Sequence, residues 1–434
     1  MSTNVVLSPA PASRLLAFLS RHVPWLVVVF AMALAGHSLR HVTESNIKAD
    51  ARQNLTIAYN LAKRGEFSET QPTKTAEPSN LREPLPIWVV AGYLKAVVLP
   101  GQPSVAVDLL ASGPNAALIK RHNAIWVFLG VLGCWFLFHA LTGSHVGALV
   151  ASVCIFALFL DSPLLVNTLY TELPATVLLV WSSWALVRAS THPCWRNWLM
   201  AGSILGLLAL TKAIFLYAAA GCVFVLTLAQ WLGPTRSHRG NTAQSFRLAL
   251  AICLGLAVIT GPWMLRNWAQ FGSLEITEGR GGWVLYKRHL LNQMTADEYR
   301  GAFVLYGPTI FRDLVAGTRW EVKRDDVTKS DGRLSRLHIG ASEFQRSDLQ
   351  AQRKGRPDLA VTYYRQTSAT AVMLRNRHAE LGDPFPRVQA DHDMRDMAIA
   401  GIKLNPGRHL KVTLLMAWRG FWSFPPQLPW PIRA

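Results

Sequence analysis

Five ionisable residues stand where charge is scarce, at the ends of apolar runs or just outside them: Asp50, Arg82, Glu172, Lys212 and Arg266. Glu172 poses the problem most sharply. In "LYTELPATVLLVWSSWALV", residues 169 to 187, it is the one carboxylate of an apolar helix of membrane-spanning quality, set two or three residues inside the polar end. A charge at membrane depth costs roughly 2.5 to 3.5 kcal/mol on insertion scales, so an acid or a Lys there needs a partner or a task. Lys and Arg are natural counter-charges of a lipid phosphate. A carboxylate beside a phosphate is repelled unless it binds a metal ion or acts on a proton. Each residue also has a plain structural reading. Asp50 would cap a helix, Glu172 would favour the positive end of a helix dipole, Lys212 would snorkel, Arg266 would anchor, and Arg82 would lie at the surface.

The elements that must position them are apolar. Half of the 434 residues are hydrophobic, 16% are charged, and 16 are Trp, which predicts an all-α integral membrane protein. Seven spans are expected, at about 22 to 40, 123 to 142, 146 to 161, 164 to 188, 197 to 212, 213 to 232 and 247 to 265. The first is read as an uncleaved span, although Ala33-Leu34-Ala35 resembles a signal-peptide cleavage site. The loops around 188 to 197 and 233 to 247 hold Arg188, Arg196, Arg236, Arg239 and Arg247 with no acid, which marks them as cytoplasmic. By parity the N-terminus, 1 to 21, is inside. A membrane domain then runs from 22 to 265, with a long outer loop at 41 to 122. An extracytoplasmic segment follows at 266 to 405, and an interfacial helix and C-terminus at 406 to 434.

Within the outer loop, "NIKADARQNLTIAYNLAKRGEFSET" reads as an amphipathic helix on the membrane surface. Asp50 is its expected N-cap, Leu55, Ala58, Leu61 and Ala62 its apolar stripe, Lys63 and Arg64 its last turn, and Gly65 its stop. "LREPLPIWVVAGYLKAVVLPG" gives a second, shorter interfacial stretch. The five Cys show no metal-type spacing and no disulfide framework. The formal charge of +18 comes without a nucleic-acid fold signature, so membrane lipids, not nucleic acid, are the expected partners.

Taken in order, "ADARQNLTIAYNLAKRGEFS", "REPLPIWVV", "TLYTELPA", "GLLALTKAIFL", "GPWMLRNWAQFGSLEITEGRGGWVLY" and "DMAIAGIKLNPGRHLKVTLLMAWRGFW" resemble the GT-C class of polyprenyl-phosphate-sugar-dependent glycosyltransferases. That group includes the protein O-mannosyltransferases and the aminoarabinose transferase. The match spans roughly 45 to 290 and 392 to 422. The resemblance implies a GT-C type bundle in the plasma (inner) membrane, with its active site on the extracytoplasmic face. It implies transfer of a sugar from a polyprenyl-phosphate donor, with inversion, to an acceptor that is a lipid, a glycan or a protein. Asp50 matches the first-loop acid and is the implied catalytic base. Glu172 matches the acid of a Thr-Glu pair and would share the site. Lys212, Arg266 and Arg82 match cations suited to the lipid phosphate. A divalent metal ion is the one cofactor left open, with Asp50 and Glu172 as its ligands. The chain departs from the pattern at Asn54, where many members carry Tyr, and at Ala51, where a second acid would stand. Members also continue with further spans beyond the Phe-Trp helix, which makes an inactive remnant one rival expectation. A non-enzymatic transporter or flippase of an anionic lipid is the other.

Overall fold

The computed structural model describes residues 11–70, 77–102, 105–232, 242–277, 281–338 and 340–422, with side chains from 23 onward save for a few more within the helices around 226–245. The described residues are helical, with no strand among them. They form two compact units that divide after Ile276.

The first unit holds α1 (Pro11–Ser38), α2 (Ala49–Arg64), α3 (Pro84–Tyr93), α4 (Val107–Leu110), α5 (Gly113–Lys120), α6 (Asn123–Thr142), α7 (His145–Ile155), α8 (Pro163–Val166), α9 (Glu172–Thr191), α10 (Trp195–Ala209), α11 (Ile214–Leu232) and α12 (Thr242–Phe271). Three stretches are long and apolar enough to cross a membrane: Gly113–Thr142, Glu172–Thr191 and Phe246–Phe271. Four shorter apolar helices accompany them, Trp25–His41, Pro84–Val98, His145–Leu160 and Ile214–Val225. Of the seven expected spans, those near 123 to 142, 164 to 188 and 247 to 265 therefore have the required length. The cytoplasmic loop expected at 233 to 247, with Arg236 and Arg239, falls largely outside the described residues.

α6 packs on α1, α7 and α9 around Trp126, Val131, Leu160, Leu173 and Val177. Gly133 on α6 makes room for the Trp181 ring of α9, whose Nε1 donates to the Leu129 carbonyl at 3.0 Å. α10 lies against α9 and α12 around Trp198, Ala201, Leu205 and Ile252. At that crossing the backbones meet: a Cβ on Gly202 would collide with the Ile252 carbonyl, and one on Gly255 with the Leu199 carbonyl. Small residues allow this approach in membrane-type helix pairs. Gly255→Ala is thus expected to lower stability by about 1–3 kcal/mol through overpacking, which a melting curve in lipid nanodiscs would show as a lower Tm; an unchanged Tm would refute the close contact. Outward, Leu250, Leu254, Val258 and Leu265 of α12 are exposed, an apolar stripe of lipid-facing type.

α2 follows its sequence at one end and departs at the other. Gly65 stops it in the left-handed region, φ 73°, and donates its N–H to the Leu61 carbonyl at 3.0 Å. The N-cap, however, is Lys48 and not Asp50, and Ala49 stands at φ 50°. That left-handed residue turns the chain so that Asp50 enters the first helical turn instead of capping it. The α2 face that packs inward includes Leu55, Ile57 and Ala58, against Ile87, Leu94, Leu110 and Ile119. Lys120, fully buried, ties the loop before α2 to α5 through the carbonyls of Thr43 (3.0 Å) and Ser45 (2.6 Å). All five Cys are free thiols.

The second unit holds α13 (Gly281–Leu291), α14 (Ala296–Leu305), α15 (Thr309–Leu314), α16 (Arg324–Thr328), α17 (Gln345–Lys354), α18 (Tyr363–Glu380), α19 (Pro386–Leu404) and α20 (Pro406–Trp422). α13, α18 and α19 pack together around Leu374, Ala390 and Met394. The Asp391 carboxylate of α19 accepts the N–H groups of Gly282 and Trp283, both at 2.8 Å, and so caps α13 from a distance. The helix expected from "DMRDMAIAGIKLN" is the C-terminal part of α19.

Candidate functional site

The five residues singled out in the sequence all lie in the first unit. Four of them form two ion pairs. Arg82 Nη2 stands 2.5 Å from Asp50 Oδ1, and Lys212 Nζ 2.9 Å from Glu172 Oε1. In each pair the carboxylate is the open member, with side-chain exposures of 59% for Asp50 and 51% for Glu172. Arg82 is the opposite, only 5% exposed, so it is no surface residue. Its guanidinium is held by Gln53, one turn along α2 from Asp50: Nε donates to Gln53 Oε1 at 3.1 Å, and Nη2 donates to the same oxygen. A cation buried this deeply requires such partners.

Glu172 opens α9 as its first residue, beyond Thr171 at the N-cap. The helix dipole favours a carboxylate there, and Lys212 compensates it further. The backbone leading into Glu172 is fixed by two buried amides. Asn54 of α2 donates to the Leu169 carbonyl at 2.8 Å, and Asn123 of α6 donates to the carbonyls of Val166 (2.8 Å) and Thr168 (2.7 Å). Asn54, where the GT-C resemblance leads one to expect Tyr, thus works as a buried strut.

One backbone segment, 79 to 85, links these parts. The Ser79 carbonyl accepts from Arg266 Nη1 at 2.9 Å, Arg82 holds Asp50, and the Leu85 N–H donates to the Leu210 carbonyl at 3.1 Å, two residues before Lys212. Within the segment Asn80 is fully buried, and neither polar atom of its side chain has a hydrogen-bond partner. Each such unpaired group costs about 1–3 kcal/mol, so a buried amide of this kind calls for a ligand, a water or a functional reason. Asn80→Leu, close in shape and without polar atoms, is expected to raise Tm while reducing any activity of the site. A fall in Tm would mean that the amide is satisfied after all.

Arg266, near the end of α12, differs from the other cations in having no carboxylate partner among the described residues. Nη1 also donates to Asn267 Oδ1 at 2.8 Å, and the guanidinium lies over the rings of Trp263 (4.7 Å), Phe271 (5.3 Å) and Phe67 (5.7 Å). Beside it opens a cleft of about 350 Å³, lined by Glu66, Phe67, Ser68, Trp88, Trp263 and Gln270 among others. That is the low end of the range for small-molecule sites, ~300–1,000 Å³. The rings are mutually braced, Trp263 edge-on to Phe67 at 4.8 Å and to Trp88 at 5.7 Å, and Trp263 Nε1 donates to the Ile276 carbonyl at 2.8 Å.

No group of three or more His, Cys, Asp or Glu among the described residues is placed to hold a metal ion. Asp50 and Glu172, the two expected metal ligands, are each engaged with a cation. The described residues form a helical protein with three helices long and apolar enough to cross a membrane and two ion pairs near helix ends. No family model matches the chain, and no curated protein matches it.

Proposed function

We propose that this chain is a membrane glycosyltransferase of GT-C type, moving a sugar from a polyprenyl-phosphate donor to an acceptor on the outer face of the membrane, with inversion at the anomeric carbon. The observation that carries the reading is the division of labour among the charges. Two open carboxylates are each steadied by a cation, while Arg266, beside an aromatic-lined cleft, forms no ion pair among the described residues.

In this mechanism Asp50 takes the acceptor hydroxyl proton as general base. Its exposure admits an acceptor, and Arg82 and Gln53 fix the geometry from the buried side. The leaving group is already a phosphate, so neutralising its charge matters more than protonating it. That task falls first to Arg266, which has no carboxylate partner among the described residues. Lys212 is matched by Glu172 and contributes less, and Arg82 is committed to Asp50; both are positioning residues in this scheme. Glu172 orients the acceptor. No step is routed through a metal ion.

The test is consumption of labelled polyprenyl-phosphate sugars by membranes containing the chain, beside membranes without it, across a panel of donor sugars. Chain-dependent release of polyprenyl phosphate with formation of a glycosylated product is the expected result. Equal background signals with every donor would sink the proposal.

A further inference from the structure

The cleft beside Arg266 is also lined by polar side chains for which a phosphate has no use. Glu66 and Gln270 are both exposed there. Among the described residues Glu66 forms no ion pair, with Arg266 or any other cation, and the Gln270 side chain makes no hydrogen bond. The backbone that presents Glu66 is nevertheless fixed. α2 stops at Gly65 in the left-handed region, so Glu66 is the next residue out of the helix. Asn60, fully buried in α2, donates from Nδ2 to the carbonyls of Ser68 and Thr70, both at 2.8 Å, and the Phe67 carbonyl accepts the Ser79 N–H at 2.9 Å. Two uncommitted polar groups on a rigid frame are what a preformed binding site offers, because little freedom is left to lose on binding.

Each lining group asks for a different part of a ligand. Arg266 takes an anion. An ionised carboxylate only accepts hydrogen bonds, so Glu66 asks for hydroxyl or ammonium donors, and the Gln270 amide both gives and accepts. Trp88, braced edge-on by Trp263, is 39% exposed and keeps an open ring surface at the cleft. The electron-rich face of such a ring attracts C–H groups. An anionic group next to a ring with an apolar C–H face and a rim of hydroxyls answers all four, and that is a sugar phosphate.

We infer that the cleft is a sugar-phosphate subsite in which Trp88 stacks on the sugar ring while Glu66 and Gln270 select a neutral or amino sugar against one that carries a carboxylate. A uronic acid would set its carboxylate in the same cleft as Glu66, and like charges brought together cost affinity. For a lipid-linked sugar the inference rests on the transferase reading, and it then names the class of donor. Glu66 and Trp88 are specificity residues in this scheme and take no part in proton transfer.

The experiment is calorimetric titration of the full chain in nanodiscs with a short-chain prenyl phosphate and with its glucose, glucosamine and glucuronic acid esters. The native chain should bind the glucose and glucosamine esters about tenfold or more tightly than the glucuronic acid ester. Glu66→Gln should narrow that gap to about threefold by admitting the glucuronic acid ester. Trp88→Leu should weaken the sugar esters roughly tenfold and leave prenyl phosphate itself within about twofold. A native chain that binds prenyl phosphate as tightly as its esters, or that does not discriminate against glucuronic acid, would overturn the inference, and neither result depends on a variant folding. Adenosine monophosphate bound as tightly as the glucose ester would overturn it too. Free glucose 1-phosphate bound as tightly as the glucose ester would uphold the subsite and place its ligand in solution, against the lipid-linked donor of the transferase reading. Selective binding of the esters without turnover would also uphold the subsite while the transfer reaction falls.

Discussion

Asp50→Asn is expected to lower the proposed sugar transfer by about 10²- to 10⁴-fold, the usual contribution of a general base, and to leave the fold in place. The substitution keeps the shape of the side chain and an oxygen that can accept from Arg82, but removes the group that takes the proton. Because Asp50 is not the N-cap of α2, the loss cannot be assigned to a frayed helix. Arg82 retains Gln53 Oε1, so the buried guanidinium is not stranded. The measurement is single-turnover transfer with a labelled donor, alongside a melting curve. Transfer retained within a fewfold, with Tm unchanged, would remove Asp50 as the base. A Tm collapse with little donor bound would make the ion pair structural. Arg82→Gln separates the roles further. It should reduce transfer through misplacement of Asp50, and its effect should largely vanish in the Asp50→Asn background, since two residues acting as a unit are non-additive.

Arg266→Ala is the second large effect, an expected loss of about 10²- to 10³-fold in kcat/KM for the donor, as for removal of one preorganised donor to a developing anion. Stability should change much less. The guanidinium gives up its bonds to Ser79 and Asn267 and its contact with three rings, but an uncompensated, half-buried charge also disappears. Arg266→Lys should recover only part of the activity, because an ammonium offers no planar fork and stacks poorly on rings. If Arg266 were only a membrane anchor, both variants would lower Tm and leave donor kinetics alone. That outcome would also remove the residue on which the proposed phosphate contact chiefly rests.

Local chemistry was the legible part of the sequence. Gly65 ends α2 because the chain there needs a left-handed residue, and glycine announces that. The apolar runs at 123 to 142, 164 to 188 and 247 to 265 are long enough to declare themselves. The shorter runs depend on neighbours for burial, and a sequence does not name the neighbours. The start of α2 failed for a related reason. Ala49 stands at φ 50° against its own preference, and Asp50, the obvious cap by residue type, sits two residues past the N-cap Lys48. Residue types picked out the five charged candidates but not their pairing. Arg82 reaches Asp50 across 32 positions and Lys212 reaches Glu172 across 40, separations at which only the tertiary fold decides. The supporting groups were missed altogether. Asn54, Asn80 and Asn123 are ordinary amides until their burial is seen, and Gln53 until its bond to Arg82 is.

The segment from Ser79 to Leu85 has a consequence for how the two ends of the site communicate. It presents a carbonyl to Arg266, a guanidinium to Asp50 and an N–H to the turn before Lys212, on seven consecutive residues. Such a strut cannot shift at one end in isolation. An anion that draws Arg266 off Ser79 loosens the segment that aims Asp50, and a ligand gripping Asp50 returns the strain toward Arg266. Were ligands to bind at both ends, any coupling carried by this segment would be reciprocal, each altering the other's affinity by the same factor. A change at Ser79 or Leu85 would then alter how one end responds to the other without touching either ligand.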